Sequence, residues 1–461
     1  MGIERFFNSL KNDFNIKEIT PNYNIKIKSD NIFLDFNSII HTISAKVNYI
    51  INLAFIENII NVNKCNKNDM TNQYLNIINL NNNFCKNINS ENEIVKNYSK
   101  FFNDDMLDDI IIKTISLYLQ HLLTKFINLK LIYIGIDGVP SKAKMVEQKN
   151  RAFMGEFESK FKKELIEKHK QILDKNKSDD CKFPYNKYNY LKNTINWSKS
   201  NIKPGTSFMI KLSKYLNSNE FKNDLIKDNK LLTRNNIIIS DHNENGEGEK
   251  KIMDYINNLK NNISGNVHIY SPDADMPLLT MILKKKNIKR YVIHVNQQKK
   301  VDVNKILDAY YDLVDIDILE DEIYNYMNTS LSKFNVIQDI VFIFSFFGND
   351  FVPKIESIDV KKDIHLNLEI YKNYLLSSNN KSILEGLDKL TLNYNNFMKL
   401  LYKYQEKESE MVKRNYYSKK YKNYNYLTNE INIKLASKKY DYTSIDHNNI
   451  NKFIYENNNE K

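Results

Sequence analysis

Apolar residues follow two rhythms along this chain. Short, largely apolar segments lie at 31–36, 131–136, 237–239, 267–270 and 291–295, each bounded by polar residues. Runs of that length, rich in Ile, Val, Phe and Tyr, predict buried strands. Longer segments with helical character separate them: about 38–60, about 106–127, 143–173, a segment beginning at Thr206 and another running on from Lys250. Pro204-Gly205 marks a turn, and Thr206 is placed to cap the helix that follows. Strands alternating with helices predict an α/β fold, a mostly parallel central sheet flanked by helices. Residues 62–100 are rich in Asn, lack periodicity and read as an insertion loop. Residues 174–192 are again polar. Residues 355–461 are polar and helical in tendency, with fraying expected from about 440.

Acidic residues recur where the strands end. Asp35 closes Ile-Phe-Leu at 32–34, and Asp137 follows the run 131–136. Glu247 and Glu249 lie in Gly-Glu-Gly-Glu, Asp273 and Asp275 in Ser-Pro-Asp-Ala-Asp, and Asp350 ends Phe-Phe-Gly-Asn-Asp. The C-terminal edge of an open α/β sheet is where ligands bind. Carboxylates gathered there repel unless cations hold them, and Mg²⁺, or Mn²⁺ in its place, prefers such oxygen ligands. A pair of ions held in this way is machinery for phosphodiester cleavage. Taken singly, each acid has a structural explanation. Asp35 reads as an N-cap, Asp137 and the 271–275 segment as turns, and the two glutamates as partners of a helix dipole. Their shared position and sign favour a joint role.

Composition agrees with a polyanionic substrate. The 461 residues carry a formal charge of +11 and are 42% hydrophobic, enough for a large core. The surplus of Asn, Lys, Ile and Tyr points to AT-rich coding, so lysine content alone carries little weight. Cys65, Cys85 and Cys181 are too scattered for a disulfide framework or zinc site, which implies a reducing, intracellular setting. The N-terminus lacks a basic-then-apolar signal, Phe6 stands where myristoylation prefers Ser or Thr, and no apolar run is long enough to span a membrane. Lys144, Gln148 and Arg151, spaced by four and then three, share one helix face that begins seven residues after Asp137. That face is either a grip for a terminal phosphate or a solvated surface. His41 is either a satisfied half-buried histidine or a ring for stacking on a base.

These segments carry a resemblance. Met-Gly-Ile-x-x-Phe-Phe at the start, Leu-Asp-Phe-Asn-Ser-Ile-Ile-His at 34–41 and Asp-Gly-Val-Pro-Ser-Lys-Ala-Lys-Met at 137–145 are followed by Gln148, Arg151 and Phe153. Then come Ile-Lys-Pro-Gly-Thr-Ser-Phe-Met at 202–209, Gly-Glu-Gly-Glu-Lys-Lys-Ile-Met-Asp-Tyr-Ile at 246–256, Asp273-Ala274-Asp275 and Phe-Gly-Asn-Asp-Phe-Val-Pro at 347–353. In order and spacing the chain resembles the 5′→3′ exoribonucleases of the XRN family, relatives of flap endonucleases, over roughly residues 1–355.

The resemblance implies a PIN/FEN-like nuclease core with a catalytic region at 1–355, interrupted by the 62–100 insertion, and a shortened helical region at 356–461. It implies that Asp35, Asp137, Glu247, Glu249, Asp273, Asp275 and Asp350 bind two Mg²⁺ ions. It further implies that Lys144, Gln148 and Arg151 bind the 5′-monophosphate of single-stranded RNA, and that His41 stacks on the first base. Mononucleotides would be released by a monomeric enzyme, in the cytoplasm rather than the nucleus. Three features depart from the family. Ala152 stands where a second Arg is usual, Trp197 is the only Trp and does not match the family's base-stacking Trp, and the chain ends at 461, without the larger C-terminal domains of cytoplasmic members. A flap-type DNA endonuclease and a non-catalytic RNA-binding scaffold are the competing expectations.

Residues 62–100 contain none of the site residues. Replacing them with a short linker is expected to preserve folding and Mg²⁺-dependent activity. A deletion variant that folds but is inactive would instead give the insertion a part in the substrate path.

Overall fold

The computed structural model describes Phe6, Phe7, Leu10 and residues 17–19, 26–61, 104–164, 197–295 and 307–420. Positions 143, 147, 151, 152, 155, 156, 158, 159, 162, 163, 228, 230, 259, 285, 286, 308, 350, 351 and 387–389 are excepted. The 62–100 insertion, Arg151, Ala152 and Asp350 thus lie outside the described residues. The chain forms two compact units. Met1–Pro140 and Pro184–Ser409 make the first, and Ser141–Phe183 and Glu410–Lys461 the second.

The first unit is built on one sheet. Strand β1 is Lys17–Ile19, β2 Ile27–Lys28 and β3 Asn31–Asp35, and the long helix α1 follows at Phe36–Asn61. Helix α2 spans Asp104–Leu123, β4 Phe126–Ile127 and β5 Leu131–Gly135. The sequence pattern predicts a helix as far as 127. The last turn instead tightens, with Lys125 N–H donating to Leu122 O, and Phe126-Ile127 pairs in parallel with β2. Helical residues recur from Lys142 to Glu164, in the second unit. Next come α3 (Ser207–Leu216), α4 (Asn219–Ile226), β6 (Ile237–Ser240), α5 (Gly248–Asn257), β7 (Gly265–Tyr270), α6 (Met276–Met281), β8 (Ile288–Val295) and β9 (Tyr311–Asp315). Thr206 caps α3 as expected, its hydroxyl accepting from Met209 N–H. The remaining elements are α7 (Ile316–Met327), α8 (Lys333–Phe344), α9 (Ile364–Ser377), the short pair β10 (Leu384–Glu385) and β11 (Thr391–Leu392), and α10 (Tyr394–Lys420).

The sheet order is β1-β9-β8-β7-β3-β5-β6. The five strands from β8 to β6 run parallel, and β9 and β1 close one edge antiparallel. The chain therefore lays β5 and β6 to one side of β3, then returns to lay β7 and β8 on the other. The order reverses between β3 and β7, and the crevice at the carboxyl ends of those strands is where such sheets bind ligands.

Period-two alternation assigns the two faces. Ile32, Leu34, Ile132 and Ile134 join one core with Ile39, Ile43, Ile111 and Ile115 of α1 and α2. Phe33 and Tyr133 point the other way, with their rings 5.6 Å apart, and meet Tyr255 of α5. The first core also holds a polar tie. The buried Tyr118 hydroxyl bonds those of Tyr270 (3.0 Å) and Tyr311 (3.1 Å), linking α2 to the ends of β7 and β9. Among the described residues no helix is long and apolar enough to cross a membrane.

Helix α5 approaches the sheet through two glycines. A Cβ on Gly248 would lie 2.8 Å from Gly135 O and 3.3 Å from Asp35 Oδ1. Backbone meets backbone there, so Gly248→Ala should cost about 1–3 kcal/mol through overpacking. Denaturant titration measures the loss, and an unchanged midpoint would show that the helix can back away.

Candidate active site

Each strand end delivers its acid through a separate local device. Asp35 is the last residue of β3 and is 7% exposed. Its Oδ2 accepts from Ser271 Oγ at 2.9 Å, across the gap between β3 and β7. Asp273 N–H donates back to Ser271 Oγ at 3.1 Å, which folds the segment after β7 over the same spot. Asp137 lies just beyond β5, where its N–H donates to Asn37 Oδ1 (3.0 Å) and its Oδ1 accepts from Gly248 N–H (2.7 Å). A carboxylate on a first-turn helix N–H, which has no partner within the helix, is favourable on both hydrogen-bond and dipole grounds.

The two glycines of Gly-Glu-Gly-Glu have different duties. Gly246 adopts φ +108°, and its N–H and carbonyl pair with Val139 O and Gly138 N–H, both at 2.9 Å. This joins the turn after β5 to the turn after β6. Gly248 permits the close approach described above. Glu247 is the N-cap of α5 and Glu249 is in its first turn, so this helix starts two residues earlier than the sequence pattern suggests. Asp275 is likewise the N-cap of α6.

The described acids share one electrostatic field. Burial, then Asp273 and Asp137, raise the Asp35 pKa well above the ordinary value. Burial, then Asp273, Asp275 and Asp35, do the same for Glu249. Asp137 is raised by burial and by Glu247 and Asp273, while the Gly248 hydrogen bond and Lys251 oppose the rise. Six of the seven predicted acids thus fall in one neighbourhood, and the seventh, Asp350, is outside the described residues. Glu249 Oε2 is buried without a hydrogen-bond partner. A buried orphan oxygen among repelling carboxylates suits a hard divalent cation. No set of three or more His, Cys, Asp or Glu side chains among the described residues is already drawn together as a ligand cage.

The predicted phosphate grip belongs to the second unit. Lys144 is buried and its backbone N–H meets Ser141 Oγ at 3.4 Å, whereas Gln148 is exposed. Arg151 lies outside the described residues. His41 is on α1, solvent-accessible, with its pKa lowered by crowding of the ring and by Lys199. Trp197 is a core residue. Its indole N–H donates to Asp108 at 2.8 Å, and its ring packs edge-on against Phe208. Sequence reasoning missed Asn37, Ser271 and Lys251 as supports of the acids, although each sits inside a motif already singled out.

Comparison with known proteins identifies the family of this chain. The family model described as XRN 5′-3′ exonuclease N-terminus matches residues 1–79 and 48–292, and that described as Xrn1 helical domain matches 332–460. The chain belongs to the XRN 5′-3′ exonuclease family. It is 41% identical over 198 residues to a putative 5′-3′ exonuclease of Acanthamoeba polyphaga mimivirus, covering 41% of this chain and 31% of that protein. It is 27% identical over 293 residues to 5′-3′ exoribonuclease 1 of Saccharomyces cerevisiae (60% and 17%). Against 5′-3′ exoribonuclease 2 of Arabidopsis thaliana it is 28% identical over 318 residues (60% and 30%). The chain thus spans about a third or less of each of these relatives.

The raised Glu249 pKa has a definite sign. The fold favours its protonated form, so this group supports stability below the ordinary glutamate pKa and loses that support as pH rises through the folded value. In chelator, Glu249→Gln should therefore gain thermal stability over the parent as pH goes from 5 to 8. About 1 kcal/mol corresponds to roughly 2–4 °C in a domain of about 150–250 residues. A gap in melting temperature that narrows over this range would contradict the electrostatic reading.

Proposed function

We propose that this chain is a 5′→3′ exoribonuclease that hydrolyses single-stranded RNA from a 5′-monophosphate end and releases mononucleotides. One observation carries this reading: six of the acids predicted from separate motifs, all those among the described residues, lie in one field near the point where the strand order reverses, with Glu249 holding a buried, unpartnered oxygen. Membership of the XRN family, and relatives known as 5′-3′ exoribonucleases, support the RNA substrate and the direction.

Asp35, Asp137, Glu247, Glu249, Asp273, Asp275 and Asp350 are the residues that would hold two Mg²⁺ ions. When bound, such ions supply water activation and charge stabilisation at the leaving oxygen. The protein's own part is positional. Ser271 fixes the Asp35 carboxylate, and Gly248 N–H fixes that of Asp137. Lys144, Gln148 and Arg151 would bind the terminal phosphate, through a point charge, a neutral donor and a planar fork. His41 would offer its ring to the first base. Its lowered pKa keeps the ring neutral near pH 7, which suits stacking rather than phosphate pairing. Trp197 is committed to the core and takes no part in that stacking.

The test is a matched set of RNA and DNA oligonucleotides bearing 5′-monophosphate, triphosphate or hydroxyl, incubated with Mg²⁺. Labelled mononucleotide should appear first from the monophosphorylated RNA. Asp273→Ala should reduce turnover by orders of magnitude while leaving RNA binding measurable. Early internal cuts, equal rates on all ends, a preference for branched DNA, or an active Asp273→Ala enzyme would each reject the reading.

A further inference from the structure

Two neighbouring lysines at the start of α5 do opposite things. Lys250 is exposed and pairs with Asp254 on its own helix at 2.6 Å. Lys251 is buried and turns inward. Its Nζ donates to Ile136 O at 2.8 Å and to Asp241 O at 2.7 Å. Ile136 immediately precedes Asp137, and Asp241 is the first residue after β6. One ammonium therefore ties together the two turns that carry Asp137, Glu247 and Glu249.

The tie is anchored further out. The Asp241 carboxylate accepts from Ser213 Oγ on α3, and also from Asn243 N–H (2.9 Å) and Asn243 Nδ2 (3.1 Å). On the other side, the pairing of Gly138 with Gly246 runs parallel to the lysine link. Cationic charge in the first turn of a helix opposes the helix dipole, and a buried ammonium loses its hydration. Backbone carbonyls beyond two strand ends need partners once water is excluded. A compact charge with three donors on a long stem can serve both at once. Its positive charge also offsets part of the repulsion among the acids beside it.

We propose that Lys251 is a positioning residue for the acid cluster: by cross-linking the turns after β5 and β6 it sets the spacing of Asp137 relative to Glu247 and Glu249, and hence the affinity of the cluster for divalent metal. The inference rests on the reading that these acids bind metal. It assigns Lys251 no contact with substrate.

Direct Mn²⁺ binding to the full chain, followed by calorimetry and by electron paramagnetic resonance, tests it without recourse to activity. The parent protein, Lys251→Met, Lys251→Gln and the neighbouring control Lys250→Met are compared, each with a thermal melt in chelator. Outer supports of metal ligands typically govern affinity by about 10–100-fold. A loss of that size is expected for both Lys251 variants in their folded state, with Lys250→Met like the parent. In turnover assays kcat should fall with little change in KM for RNA. Unaltered Mn²⁺ affinity in a folded Lys251 variant would overturn the proposal. So would failure of both Lys251 variants to fold, which would make the residue a structural support alone. Absence of Mn²⁺ binding by the parent would instead remove the metal reading itself.

Discussion

Carboxyl groups gathered at one edge of a sheet repel one another, and the surrounding fold has to hold them in place. Here burial adds to the repulsion, since both push the Asp35, Asp137 and Glu249 pKa values upward. No single acid could be kept in such a place by its own local propensity. Their position is imposed by the strand order, which opens a crevice between β3 and β7 and brings the next acid-bearing segments alongside.

That constraint accounts for features that otherwise look unrelated. The Gly135–Gly248 contact lets α5 lie against the sheet closely enough for its first turn to face Asp35. Gly248 N–H, Ser271 Oγ and Asn37 Oδ1 are small, rigidly held groups, each occupying one lone pair or one N–H of an acidic residue. The hydrophobic cores on the two faces fix the sheet on which these groups are mounted. A polar site thus draws its rigidity from apolar packing on either side and from a few hydrogen bonds across the strand ends.

Much of this was legible in the sequence because the local signals were strong. Short apolar runs marked the strands, two of them ending directly in an acid, and β3, β5, β6, β7 and β8 fall where those runs lie. Thr206 behaved as the N-cap its setting implies. What the pattern could not supply was long-range geometry. Nothing in the residues 126 and 127 distinguishes a helix end from a strand pairing with β2, because both are apolar. Lys250 and Lys251 are chemically identical, and only the direction of α5 against the sheet sends one outward and the other to two carbonyls. Nothing in the sequence assigned Trp197 a place, and its hydrogen bond to Asp108 and contact with Phe208 put it in the core.

The hydrogen bond between Ser271 and Asp35 joins residues 236 positions apart, and that between Gly248 and Asp137 spans 111. Contacts of such separation close late, because the loop entropy must be met before they reward the chain. During synthesis Asp35 emerges long before its partner from β7, so the acids stay dispersed until most of the sheet has been made. The cluster therefore comes into being as a product of completed folding. A ribosome-bound fragment lacking β7 would carry the motif at 34–41 without the neighbourhood that gives it meaning.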